Sequence, residues 1–173
     1  MLQMYVAGIG LEQITGQPVV LLDDGDKRKA LPILIGVAEA KAISKALQNS
    51  RSKRPSTHEL LSDVVESFGY ELDHVEIQHG TDDTYFAKIA LVSAEGAQTG
   101  PVVEIDSRPS DAIVLALMQH APIMVAEQLV KATIEPESDQ DAEAQTQKFK
   151  EFVSQIKASD FNKFGKGPAE LPE

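Results

Sequence analysis

The residues best suited to chemistry lie in the run Glu104-Ile105-Asp106-Ser107-Arg108-Pro109-Ser110-Asp111. Alternation along a strand puts Glu104 and Asp106 on one face, and Asp111 follows in the first turn of a helix that Pro109 can open. Three carboxylates at that spacing could converge on a hard cation such as Mg²⁺ or Mn²⁺. Such an ion takes oxygen ligands, activates water and offsets the charge that builds on a phosphate under attack. The spacing therefore fits metal-assisted phosphodiester hydrolysis. It equally fits local structure: Ser110 and Asp111 can satisfy free amides and the positive end of the helix, while Arg108 pairs with one of the carboxylates.

His58 follows Ser56 and Thr57 at the start of another helix, where an imidazole can act as general base or sit exposed in the first turn. His74, His79 and His120 show no ligand spacing with it or with each other. Glu39, near the start of an earlier helix, suits the helix dipole before it suits anything else. Lys41, Lys45, Arg51, Lys53 and Arg54 form the one sustained basic concentration, a helix edge feeding a loop. That edge could track the phosphate backbone of single-stranded RNA or DNA, or be solvated surface charge.

The rest of the composition narrows the classes. With 16 Lys and Arg against 27 Asp and Glu, the net charge is −11, so the field of the whole molecule repels polyanions and any nucleic-acid contact must be local. The chain has no cysteine, which removes disulfides, thiolate zinc sites and a cysteine nucleophile, and fits a reducing, cytoplasmic setting. Aromatic residues make up 5% and tryptophan is absent, leaving little surface on which bases could stack. There is no membrane span, Gly-rich phosphate loop or nucleophile elbow.

These residues need elements to hold them. Apolar alternation predicts strands over residues 3–11, 18–22 and 31–35, an antiparallel meander turned at Gly16 and at Asp23-Asp24-Gly25-Asp26. Helical spacing follows over 39–47. Ser56 and Glu59 have the form of a capping box opening a second helix, with Leu60, Leu61, Val64, Val65 and Phe68 as its apolar positions and Gly69 as its left-handed cap. Strands over 73–78, 85–92 and 102–106, a buried helix over 109–119 and a short strand over 123–125 complete the order. The expected class is α+β, a mixed, largely antiparallel sheet packed with about three helices.

One domain is expected over residues 1–134, then an acidic linker over 135–147 and a C-terminal helical extension over 148–173 whose Gly- and Pro-rich end is frayed. Phe149, Phe152, Val153 and Ile156 form an amphipathic stripe too short to build a core alone, so it must dock on something.

Several ordered motifs carry a resemblance beyond periodicity. They are Gly16-Gln17-Pro18-Val19-Val20-Leu21-Leu22, Leu31-Pro32-Ile33-Leu34-Ile35-Gly36, Glu39-Ala40, Arg54-Pro55-Ser56-Thr57-His58-Glu59-Leu60-Leu61 and Arg108-Pro109-Ser110-Asp111-Ala112-Ile113. In that order they resemble the bifunctional nuclease family over roughly residues 2–129. The resemblance implies a compact, self-associating α+β domain, a dimer by expectation, with activity on RNA and DNA. It places His58, Arg108 and Asp111, with Glu39 and Asp106 behind them, in family motifs. A second reading stays open, in which the same residues cap helices and build the surface of a non-catalytic binding or regulatory module.

Overall fold

The computed structural model describes residues 1–12, 14–26, 28–80, 84–94 and 102–132; the linker and the extension expected after 134 lie outside the described residues. The α+β expectation holds. Among the described residues eight strands form one mixed sheet in the order β6-β5-β4-β7-β1-β2-β3-β8. In chain order these are β1 (Leu2–Leu11), β2 (Pro18–Asp23), β3 (Lys29–Leu34), β4 (Tyr70–His79), β5 (Tyr85–Ser93), β6 (Val103–Ser107), β7 (Ile123–Val125) and β8 (Lys131–Ala132). The helices are α1 (Val37–Leu47), α2 (Thr57–Ser67) and α3 (Pro109–Gln119).

The first three strands form the expected meander. Its turns need the left-handed backbone that glycine adopts without a Cβ penalty: Gly16 has φ +68° and Gly25 φ +78°, and the Gly25 amide donates to the Asp23 carboxylate at 2.9 Å. Strand β7 joins the two halves. It runs antiparallel to β1, pairing Val125 with Leu2, and parallel to β4, pairing Ile123 with Val75.

Helix α3 packs on α1, α2, β4 and β5, and is buried nearly all round through Ala112, Ile113, Val114, Leu115 and Ala116. These residues share one core with Val20, Leu22, Leu31, Ile43, Val75 and Ile77. At about 1.5–3 kcal/mol for each large aliphatic side chain removed from water, this core is what holds α3 and the loop before it in place.

Helix α2 turns its apolar positions outward. It opens on the expected capping box and closes at Gly69, φ +76°. Yet its buried residues are Glu59 and Ser62, while Leu60, Leu61, Val64 and Phe68 are exposed, Phe68 by 77%. Of the five apolar positions, Val65 alone packs partly against the core. The reason is polar pairing across the helix bundle. Glu59 accepts from Lys45 of α1 at 2.8 Å, and Ser62 accepts from Gln119 of α3 at 2.8 Å. These bonds fix the polar stripe of α2 inward and turn its apolar stripe out.

Candidate functional site

The site is built where the ends of α1, α2 and α3 meet. Arg108 is the residue that caps α3 ahead of Pro109, in extended backbone, and its side chain reaches both ways from that corner. Its Nε donates to Asp111 Oδ2 at 2.7 Å and one terminal nitrogen donates to Asp111 Oδ1 at 3.0 Å, a two-pronged pair within the first turn of α3. The other terminal nitrogen donates to Glu39 Oε1 at 2.8 Å, in the first turn of α1. Asp111 Oδ1 also faces His58 Nε2 of α2 at 3.0 Å. Four residues from three helices therefore form one continuous network, Glu39–Arg108–Asp111–His58.

Arg108 is 65% exposed in its side chain and has used three of its five N–H groups, so the remaining two are open to an anion. Hydrogen bonding to Asp111, then the Asp111 charge and the Glu39 bond, raises its pKa. Burial pushes the Asp111 carboxyl up, but hydrogen bonds from Arg108 and His58 and their charges outweigh it and leave the group below its ordinary value. An ionised Asp111 accepts, which makes His58 Nε2 the donor of the pair and leaves Nδ1 outside it.

His58 also lines a cavity of about 80 Å³ with Lys45, Arg51, Ser56, Val114 and Met118. Small-molecule pockets run to several hundred Å³, so this hollow suits a phosphate-sized group and not a whole nucleotide.

Beside it the loop before α2 is tied down by Glu59, which accepts from the Ser56 amide and hydroxyl, both at 2.7 Å, from the Ser52 amide at 3.1 Å and from Lys45. Lys45 also donates to Ser52 at 2.6 Å, so its charge is already met. Among the described residues Lys41, Arg51, Lys53 and Arg54 have no ion-pair partner, and all four are exposed. The expected basic path is thus left to these four.

The expected carboxylate trio does not assemble. Glu104 lies on the edge strand β6 and is held by Lys88 of β5 at 2.6 Å, which keeps the Glu104 carboxyl low and the Lys88 ammonium high. Asp106 shares that edge, in register with Lys88, whereas Asp111 turns to Arg108 and His58. Among the described residues no three His, Asp or Glu side chains are grouped to hold a metal. Glu39 stands in the first turn of α1, as its dipole role expects, and also closes the network on Arg108.

Gly36, which caps α1, had passed only as part of a motif. A Cβ there would strike the Glu39 carboxylate, which folds back over the helix start. Gly36→Ala is therefore expected to leave the fold intact, since a flexible side chain can give way, but to detach Glu39 from Arg108. The check is the ¹⁵N resonances of the Arg108 terminal nitrogens and their exchange with water: the one bonded to Glu39 should shift and exchange faster than in the parent, while Nε, bonded to Asp111, stays as it was. Unchanged signals would refute the role given to Gly36.

The domain described as Bifunctional nuclease domain matches residues 19–137. The chain is 33% identical over 167 residues to an uncharacterised protein of Mycobacterium tuberculosis, covering 92% of this chain and 97% of that one. It is 30% identical over 107 residues to Bifunctional nuclease 2 of Arabidopsis thaliana and likewise to Bifunctional nuclease 1 of that plant, covering 62% of this chain and 32% of each plant protein. Among the described residues no helix is long and apolar enough to cross a membrane.

Proposed function

This chain belongs to the bifunctional nuclease family, and on that premise we propose that it hydrolyses phosphodiester bonds in single-stranded RNA and DNA, with His58 as its proton-transfer group. The observation that carries the reading is the His58–Asp111 pair beside a phosphate-sized cavity, with Arg108 holding two N–H groups in reserve. Exposed Lys41, Arg51, Lys53 and Arg54 supply the local positive charge that an acidic chain needs to draw a nucleic-acid strand to this corner.

In the proposed step, water attacks phosphorus as His58 Nδ1 takes its proton. A new P–O bond forms, the bond to the leaving sugar oxygen breaks, and the proton passes on to that oxygen. Asp111 steadies the imidazolium that forms in between, and Arg108 meets charge on the non-bridging oxygens. None of these steps passes through Mg²⁺ or Mn²⁺, whose expected ligands Glu104, Asp106 and Asp111 stand apart.

The test is cleavage of end-labelled single-stranded RNA and DNA by the purified chain, in chelator and with added Mg²⁺ or Mn²⁺. Cleavage that co-elutes with the protein supports the reading, and activity persisting in chelator supports the metal-free step. Binding without cleavage under every condition would favour the non-catalytic module.

The basic loop gives a separate expectation. Replacing Arg51, Lys53 and Arg54 together with alanine should weaken single-strand binding for all sequences alike. The slope of log affinity against log salt should fall by about 2, near 0.7 for each lost phosphate contact. An unchanged slope in a fluorescence titration would remove this loop from the interface.

A further inference from the structure

Among the described residues, the outward apolar stripe of α2 is a surface feature that the proposed function leaves unexplained. Leu60, Leu61, Val64 and Phe68 are 54%, 43%, 42% and 77% exposed, on a helix whose inward positions are already polar and paired. A contiguous outward apolar stripe of this kind marks a surface that another element covers. We propose that its cover is the chain's own C-terminal segment, residues 148–164, laid along α2 by its stripe of Phe149, Phe152, Val153 and Ile156.

Three observations converge on this occupant. The first is spacing: Leu60, Val64 and Phe68 recur every four residues along a ridge, and the stripe of the segment has the three- and four-residue spacing that packs against such a ridge.

The second is charge. Residues 148–164 carry four lysines, Lys148, Lys150, Lys157 and Lys163, against Glu151 and Asp160, a basic stretch in a chain of net charge −11, and the exposed flank of α2 carries Asp63 and Glu66 with no basic residue in its last turn. A basic stripe on an acidic flank adds attraction to apolar contact.

The third is reach and area. Sixteen residues separate Ala132 from Phe149 and can extend to about 55 Å, whereas a domain of this size is on the order of 35 Å across, so the tether reaches any part of it. The four side chains offer on the order of 400 Å², about half of the ~800 Å² each partner gives to a stable complex of separate chains. A tethered segment binds as though present at millimolar concentration, so the smaller area suffices. A docked segment would brace the helix that carries His58 in its first turn.

The test uses the absence of native cysteine. A nitroxide on Ser154→Cys in the isotope-labelled full-length chain should erase amide signals of residues 60–68, and reducing the nitroxide should restore them. A mixture of nitroxide-bearing chains without isotope and isotope-labelled parent chains should show no such loss. Phe68→Ser, at an exposed position the core does not use, should abolish the effect. Intact signals in the labelled chain would overturn the proposal. So would loss in the mixture, which makes a second copy the cover, or loss that survives Phe68→Ser.

Discussion

His58→Ala is expected to cut the rate of single-stranded RNA and DNA cleavage by about 10²- to 10⁴-fold, the usual contribution of a positioned proton-transfer group. His58 is 21% exposed and its contact in the network is the one to Asp111, so its loss should leave the fold in place. Unfolding midpoints within a few degrees of the parent would show that. The remaining network, Asp111–Arg108–Glu39, keeps its three hydrogen bonds in the variant, so phosphate binding should change far less than turnover. The signature is a fall in kcat with KM nearly constant. A folded variant that cleaves as fast as the parent would end the assignment of His58 and point to a co-purifying nuclease.

Glu59→Ala is expected to lower the unfolding midpoint by on the order of 10 °C, because one carboxylate satisfies four donors on three segments of chain. Without it Lys45, 28% exposed, loses its counter-charge, and the amides of Ser52 and Ser56 lose their acceptor. The loop that carries Arg51 then loosens.

The same carboxylate sets an acid limit. Hydrogen bonding from Lys45 first, then from Ser56, holds its pKa far below the ordinary value of 4.5. A group whose folded pKa is depressed stabilises the fold fully above its unfolded pKa, and that stability is lost as pH falls through the interval down to the folded value. The parent should therefore lose stability steadily below about pH 4.5, and Glu59→Ala should lack this part of the slope. Calorimetry from pH 3 to 7 reads both effects. Parallel profiles for the two proteins would contradict the assignment.

The sequence made the elements legible where local chemistry decides them. Alternating apolar residues marked β1 to β7 to within a few residues, Ser56 and Glu59 marked the start of α2, and Pro109 marked that of α3. The short β8 escaped notice because two residues carry no period. The orientation of α2 was not legible, because periodicity shows that a helix has an apolar side and not which side faces the core; long-range bonds from Lys45 and Gln119 decide it.

The site was half legible for the same reason. His58, Arg108, Asp111 and Glu39 could be named from motifs, but a strand-plus-helix spacing could not show that Lys88 takes Glu104 while Asp111 turns the other way. Contacts spanning 53 and 69 residues, His58 to Asp111 and Glu39 to Arg108, have no local signature.

The place of β7 also orders how the molecule comes into being. As the chain leaves the ribosome, β1, β2 and β3 can pair with one another, and β4, β5 and β6 can pair among themselves, through neighbouring hairpins. Nothing yet ties one group to the other within the sheet. The three residues Ile123–Val125 do so, bonding β1 on one side and β4 on the other. The sheet is therefore sealed at its centre by the seventh of the eight described strands to be made, and until then the inner edges of β1 and β4 stand open to other chains.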